Sequence, residues 1–73
     1  MRFVKPEQQF GANVRQVRLG RGLSQEALGH ACGLHPTEVS RLERAVREPR
    51  LSTIVRLARA LKVKPADLLD GVR

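Results

Sequence analysis

Seventy-three residues carry fourteen Lys and Arg against seven Asp and Glu, a formal net charge of +7. A chain this short folds as one domain that buries only about 60% of its surface, which argues against a large catalytic cleft. The basic excess favours a polyanionic partner, and because these residues stand singly through helical segments the charge does not belong to a disordered tail.

No apolar run approaches the ~18 residues of a membrane span, and the N-terminus lacks the apolar core of a secretory signal. A soluble, cytoplasmic protein without membrane contact is expected. The single cysteine, Cys32, has no partner for an internal disulfide and reads as a small core residue in a reducing compartment.

Apolar residues recur at three- and four-residue spacing and never alternate, so the pattern predicts five helices, no strand and a compact all-α domain over residues 1–73. The first helix is expected from Pro6 or Glu7 to about Gly20, with Phe10, Val14 and Val17 as its buried stripe and Gly20 and Gly22 as its stop. Ser24 caps the second, which buries Ala27, Leu28, Ala31 and Cys32 and ends at a left-handed Gly33. Pro36 opens the third after His35, an indifferent cap, and Val39, Leu42 and Val46 mark its core side. Beyond a loop at Glu48, Pro49 and Arg50, the fourth helix has Ser52 near its start and a stripe of Leu51, Ile54, Leu57, Ala58 and Leu61. Val63 packs behind it, and the short fifth helix runs from Pro65 to about Leu69, with Gly71 as a stop and Val72 and Arg73 frayed.

The stretch SQEALGHACGLHPTEVSRLE, Ser24 to Glu43, thus sets two short helices either side of Gly33. Two helices joined by so tight a turn form a helix-turn-helix, here about residues 24–45, whose second helix is suited to the DNA major groove. With Val39 at zero and about 100° per residue, the core direction of that helix lies near 340° and Thr37, Ser40, Arg41 and Arg44 fall between about 100° and 200°, on the outward face. Hydroxyl and guanidinium groups there can read base edges, Arg by a two-bond grip on guanine. Glu38, on the flank at roughly 260°, is the local objection, since it repels phosphate if it faces the DNA backbone, although it can accept from a cytosine amino group.

The free N–H groups and partial positive charge at the start of the second helix suit a phosphate beside Ser24 and Gln25. Arg47 and Arg50, after the third helix, can clamp the DNA backbone on the other side.

These residues resemble the Cro and phage-repressor type of helix-turn-helix, the Xre-like family. Carrying the resemblance, in order over about Phe10 to Leu69, are VRQVRLGRGLSQEAL, CGL, VSRLER, REPRLSTIVRLARAL followed by KV, and PADLL. It implies a five-helix, lambda-repressor-like domain that binds double-stranded operator DNA as a homodimer, reads an inverted repeat and regulates transcription, in the first instance by repression. It places base reading on Pro36, Thr37, Ser40 and Arg41, phosphate contact on Gln25 and Arg44, and a structural ion pair on Arg18 and Glu43. Two positions depart from the family pattern. Ala45 stands where glycine is common, which disfavours a left-handed residue and lets the third helix run another turn, and Gly29 replaces the usual alanine, permitting close approach of the third helix.

His30 and Cys32 project about 200° apart on one helix, so with His35 they make no metal site, and no metal or cofactor is expected. Neither a nucleophile and base arrangement nor a phosphate-binding glycine loop suggests an enzyme. The alternative is a protein-interaction module of the same fold without specific DNA binding, which calls for an apolar or acidic outward face on the third helix. Val63, Leu68, Leu69 and Val72 are the candidate apolar patch for a dimer, or else the end of the core.

Overall fold

The computed structural model describes residues 4–73. Its helices are Pro6–Gly20 (α1), Gln25–Cys32 (α2), Pro36–Glu43 (α3), Leu51–Leu61 (α4) and Pro65–Leu68 (α5), and no strand occurs among the described residues. Three of the five helices open on proline, whose fixed φ suits the first turn and whose missing N–H is no loss there. Among the described residues, no helix is long and apolar enough to cross a membrane.

All five helices feed one core. Phe10 and Val14 from α1, Leu28 from α2, Val39 from α3, Leu57 and Leu61 from α4 and Leu68 from α5 are inaccessible to solvent. α2 packs on α3 and α4, while α1 crosses α3 so closely that a Cβ at Gly11 would lie 2.5 Å from the Leu42 carbonyl oxygen. Burial pushes the Cys32 thiol up in pKa, in line with its place in the core.

Several expected core residues lie outside. Ala27 and Ala31 are exposed, because Leu28 and Cys32 already form the i, i+4 pair that faces inward and their neighbours turn about 100° away. Leu51 is 77% exposed: it has the period of Ile54 but precedes the first covered turn of α4. Val46 is 63% exposed because α3 has ended three residues earlier, and helical periodicity no longer governs it. At the chain's end Leu68 is buried and Val63 and Val72 are half-buried against the core, so of the four candidate dimer residues Leu69 alone is exposed.

The end of α3 corrects the reading of Ala45. α3 does not run on, since Ala45 adopts a left-handed φ of 60°. The Val46 N–H donates to the Arg41 carbonyl at 2.9 Å and the Ala45 N–H to the Leu42 carbonyl at 3.2 Å, a Schellman turn closed without glycine. α1 closes in the same way through Gly22, φ 69°, with the Leu23 N–H donating to the Arg18 carbonyl.

Asn13, about 60° round the helix from the core stripe, is a buried polar residue whose amide donates to the carbonyls of Leu68 (3.0 Å) and Asp70 (2.7 Å). It ties the end of α5 to α1.

Candidate nucleic-acid interface

The turn between α2 and α3 is built from the backbone upward. Gly33 takes φ 73°, and the Leu34 N–H returns to the Gly29 carbonyl at 2.8 Å. A Cβ at Gly29 would stand 2.5 Å from the Leu34 carbonyl oxygen, so the glycine accommodates the turn's own backbone more than helix α3 itself. From α4, the Arg56 guanidinium donates to the carbonyls of Cys32 and Gly33, both at 2.9 Å, and satisfies the C-terminus of α2. Arg56 carries no sequence signal, because only the crossing of α4 brings it there.

At the start of α2 the Ser24 Oγ accepts from the Ala27 N–H at 3.0 Å, leaving the hydroxyl proton free to donate outward. Gln25 is half-buried and its Nε2 donates to Glu43 Oε1 at 3.2 Å, which commits one amide hydrogen and leaves the other. Ser24, Gln25 and Pro36 border one shallow cleft, so the fold brings the start of α2 against the start of α3.

Glu43 is the hub of this corner. Arg18 grips it with two bonds, Nε to Oε2 at 2.6 Å and Nη2 to Oε1 at 3.0 Å, and donates a third from Nη1 to the Leu23 carbonyl at 2.8 Å. The two side chains are 9% and 3% exposed. The hydrogen bond to Glu43 raises the Arg18 pKa against the opposing effect of burial, so the guanidinium stays charged. It locks α1 to the end of α3 and takes no part of the outward face.

That face carries Thr37 and Arg41, both exposed, with Ser40 half-buried beside them. Arg44 lies one residue past the helix, and its Nε donates to Ser40 Oγ at 3.1 Å, laying the guanidinium along α3. On the far flank Arg47 and Arg50, exposed in the loop, border a polar cleft with Glu38, Ser52, Thr53 and Arg56. The fold therefore sorts the candidate contacts into three strips: Ser24, Gln25 and Pro36; Thr37, Ser40, Arg41 and Arg44; Arg47 and Arg50.

His35 is not an indifferent cap. Its Nδ1 accepts from the Thr37 N–H at 3.1 Å, while Glu38 Oε1 accepts from the His35 N–H at 3.3 Å. The two form a capping box, and its trace in the sequence was the Glu three residues beyond the cap position. Accepting this bond does not neutralise the Glu38 carboxylate, which also borders the cleft of Arg47 and Arg50, so its objection to a phosphate there stands. Among the described residues, no group of three His, Cys, Asp or Glu side chains is placed to hold a metal ion.

A family model described as Helix-turn-helix matches residues 14–68. Control protein C.BamHI of Bacillus amyloliquefaciens is 47% identical over 62 residues, covering 84% of this chain and 76% of that protein. The crystal structure of the restriction-modification controller protein C.AhdI from Aeromonas hydrophila superposes with a TM-score of 0.83 at 39% identity, covering 85% of this chain and 94% of that one. The P22 c2 repressor, crystallised in complex with synthetic operator 9T, gives a TM-score of 0.78 at 32% identity, with 85% and 94% covered. The match spans both helices of the turn and the core that holds them, and the chain belongs to the Cro and phage-repressor type of helix-turn-helix family, the DNA-binding regulators of transcription.

Proposed function

We propose that this protein is a cytoplasmic transcriptional regulator of a restriction–modification locus, which reads an inverted-repeat operator as a homodimer. The outward face of α3 carries the reading, because Thr37, Ser40, Arg41 and Arg44 form a polar, cationic strip with no apolar residue in it. Base choice rests on Pro36, Thr37, Ser40 and Arg41, and Ser24, Gln25, Arg44, Arg47 and Arg50 hold the phosphates on either side. The similarity to control proteins supports the restriction–modification role.

A dimer reading an inverted repeat sets its two α3 helices about 34 to 36 Å apart. Leu51, next to the loop that ends in Pro49 and Arg50, and Leu69, which shares a cleft with Pro49, are the exposed apolar residues we assign to the dimer contact.

Selection of bound sites from random duplex DNA, followed by titration at several salt concentrations, tests the proposal. An enriched inverted repeat bound at least about 10³-fold tighter than random DNA is expected. A reporter promoter overlapping that repeat is expected to be silenced. Weak binding with a steep salt dependence and no enriched site would reduce the charge to non-specific attraction and favour a protein partner.

A further inference from the structure

The fold makes the two ring nitrogens of His35 chemically distinct. The Thr37 backbone N–H donates to Nδ1 at 3.1 Å, and because a backbone amide can only donate, Nδ1 must offer its lone pair. In the neutral ring the proton then sits on Nε2, which becomes a donor. Among the described residues Nε2 has no hydrogen-bond partner, and His35 is exposed. The residue lines a shallow cleft with Ser24, Ala27, His30 and Pro36, where the first turns of α2 and α3 meet.

The geometry points to His35 as a combined positioning and phosphate-contact residue, its Nδ1 fixing the first turn of α3 and its Nε2–H donating to a DNA backbone oxygen next to the one held at Ser24. This assignment rests on the DNA-binding reading above. His35 shares its cleft with the Ser24 cap of α2 as well as with Glu26 and Pro36, and the shared border with Ser24 is what assigns its Nε2–H to the sugar-phosphate chain. A donor whose tautomer is set before binding loses little to reorganisation when the contact forms.

His35→Asn keeps a side chain of the preferred capping type and removes the ring Nε2–H, leaving only amide hydrogens that reach less far from the backbone, whereas His35→Ala removes both cap and donor. Nitrogen NMR of the ring in free protein, in mildly alkaline buffer where an ordinary histidine is neutral, is expected to show the Nε2–H tautomer. The Nδ1–H tautomer would overturn the assignment. In titrations of the selected operator and of random duplex, H35N is expected to melt as the unaltered protein does and to bind both DNAs roughly 3- to 10-fold more weakly. H35A should show the same loss and a lower melting temperature. Unchanged affinity of H35N, beside tight binding by the unaltered protein, overturns the role of His35 alone. A loss confined to the operator places the ring on a base and overturns the phosphate assignment, and failure of the unaltered protein to bind any duplex overturns the DNA-binding reading with it.

Discussion

Arg41 is exposed on the outward face of α3 and bonds to no other side chain among the described residues, so its five donors are available to a base edge. Arg41→Ala is expected to cost about 1 to 3 kcal/mol on the selected operator and to relax the choice of base at one position. Arg47, on the loop flank, should behave differently: Arg47→Ala weakens binding to all sequences alike and lowers the salt slope by about one. Titration of both variants on operator and random DNA separates the roles, and equal losses on the two DNAs for Arg41→Ala would move it to the phosphates. The residue scale is also where sequence projection was least able to see. It placed Arg41 outward, but the bond from Gln25 to Glu43 and that from Arg44 to Ser40 depend on side-chain reach, which helical angles do not contain.

At the scale of elements, the ends of α3 decide how its reading face is presented. Its C-terminus stores strain at Ala45, since a left-handed residue with a Cβ costs about 1 to 2 kcal/mol over one without. Ala45→Gly is therefore expected to stabilise the fold by roughly 1 kcal/mol, less the added freedom of the unfolded chain, with α3 unchanged in length. Thermal melting measures this, and a lower melting temperature would show the strain to be absent. Arg18→Ala strands the Glu43 carboxylate in a nearly closed site and is expected to cost about 3 to 5 kcal/mol, on the order of 10 °C or more in a domain of this size. Unaltered melting with lost DNA affinity would instead assign Arg18 to the interface. The capping box at the other end was legible in the spacing of His35 and Glu38, yet the low rank of histidine as a cap hid it. Ala45 was misread because propensity argues against a left-handed alanine, whereas in the fold α1 packs against the Leu42 and Glu43 carbonyls just before it and the turn closes through Ala45.

For the molecule as a whole, the +7 charge should make DNA affinity fall steeply with salt, and specificity survives only through the contacts of α3. The dimer is tested by Leu51→Glu. Leu51 is so exposed that this change should leave melting within about 0.5 kcal/mol of the original while shifting sedimentation toward the monomer and weakening operator binding. A dimer indifferent to Leu51→Glu would place the contact elsewhere.

By itself the sequence determined the five helices, four of their starts (at Pro6, Pro36 and Pro65 and after Ser24), the tight turn at Gly33 and the side of α3 that faces outward, because capping, glycine geometry and the 3.6-residue period are local properties. Only the tertiary structure decided that Leu51 and Val46 stand in solvent, that Arg56 closes the end of α2, that Asn13 holds α5, and that Gln25 joins the Arg18–Glu43 pair. Those outcomes depend on where one helix stops covering another and on which distant side chain arrives at an unsatisfied carbonyl, and neither distance nor cover is written in the spacing of residues along a single helix.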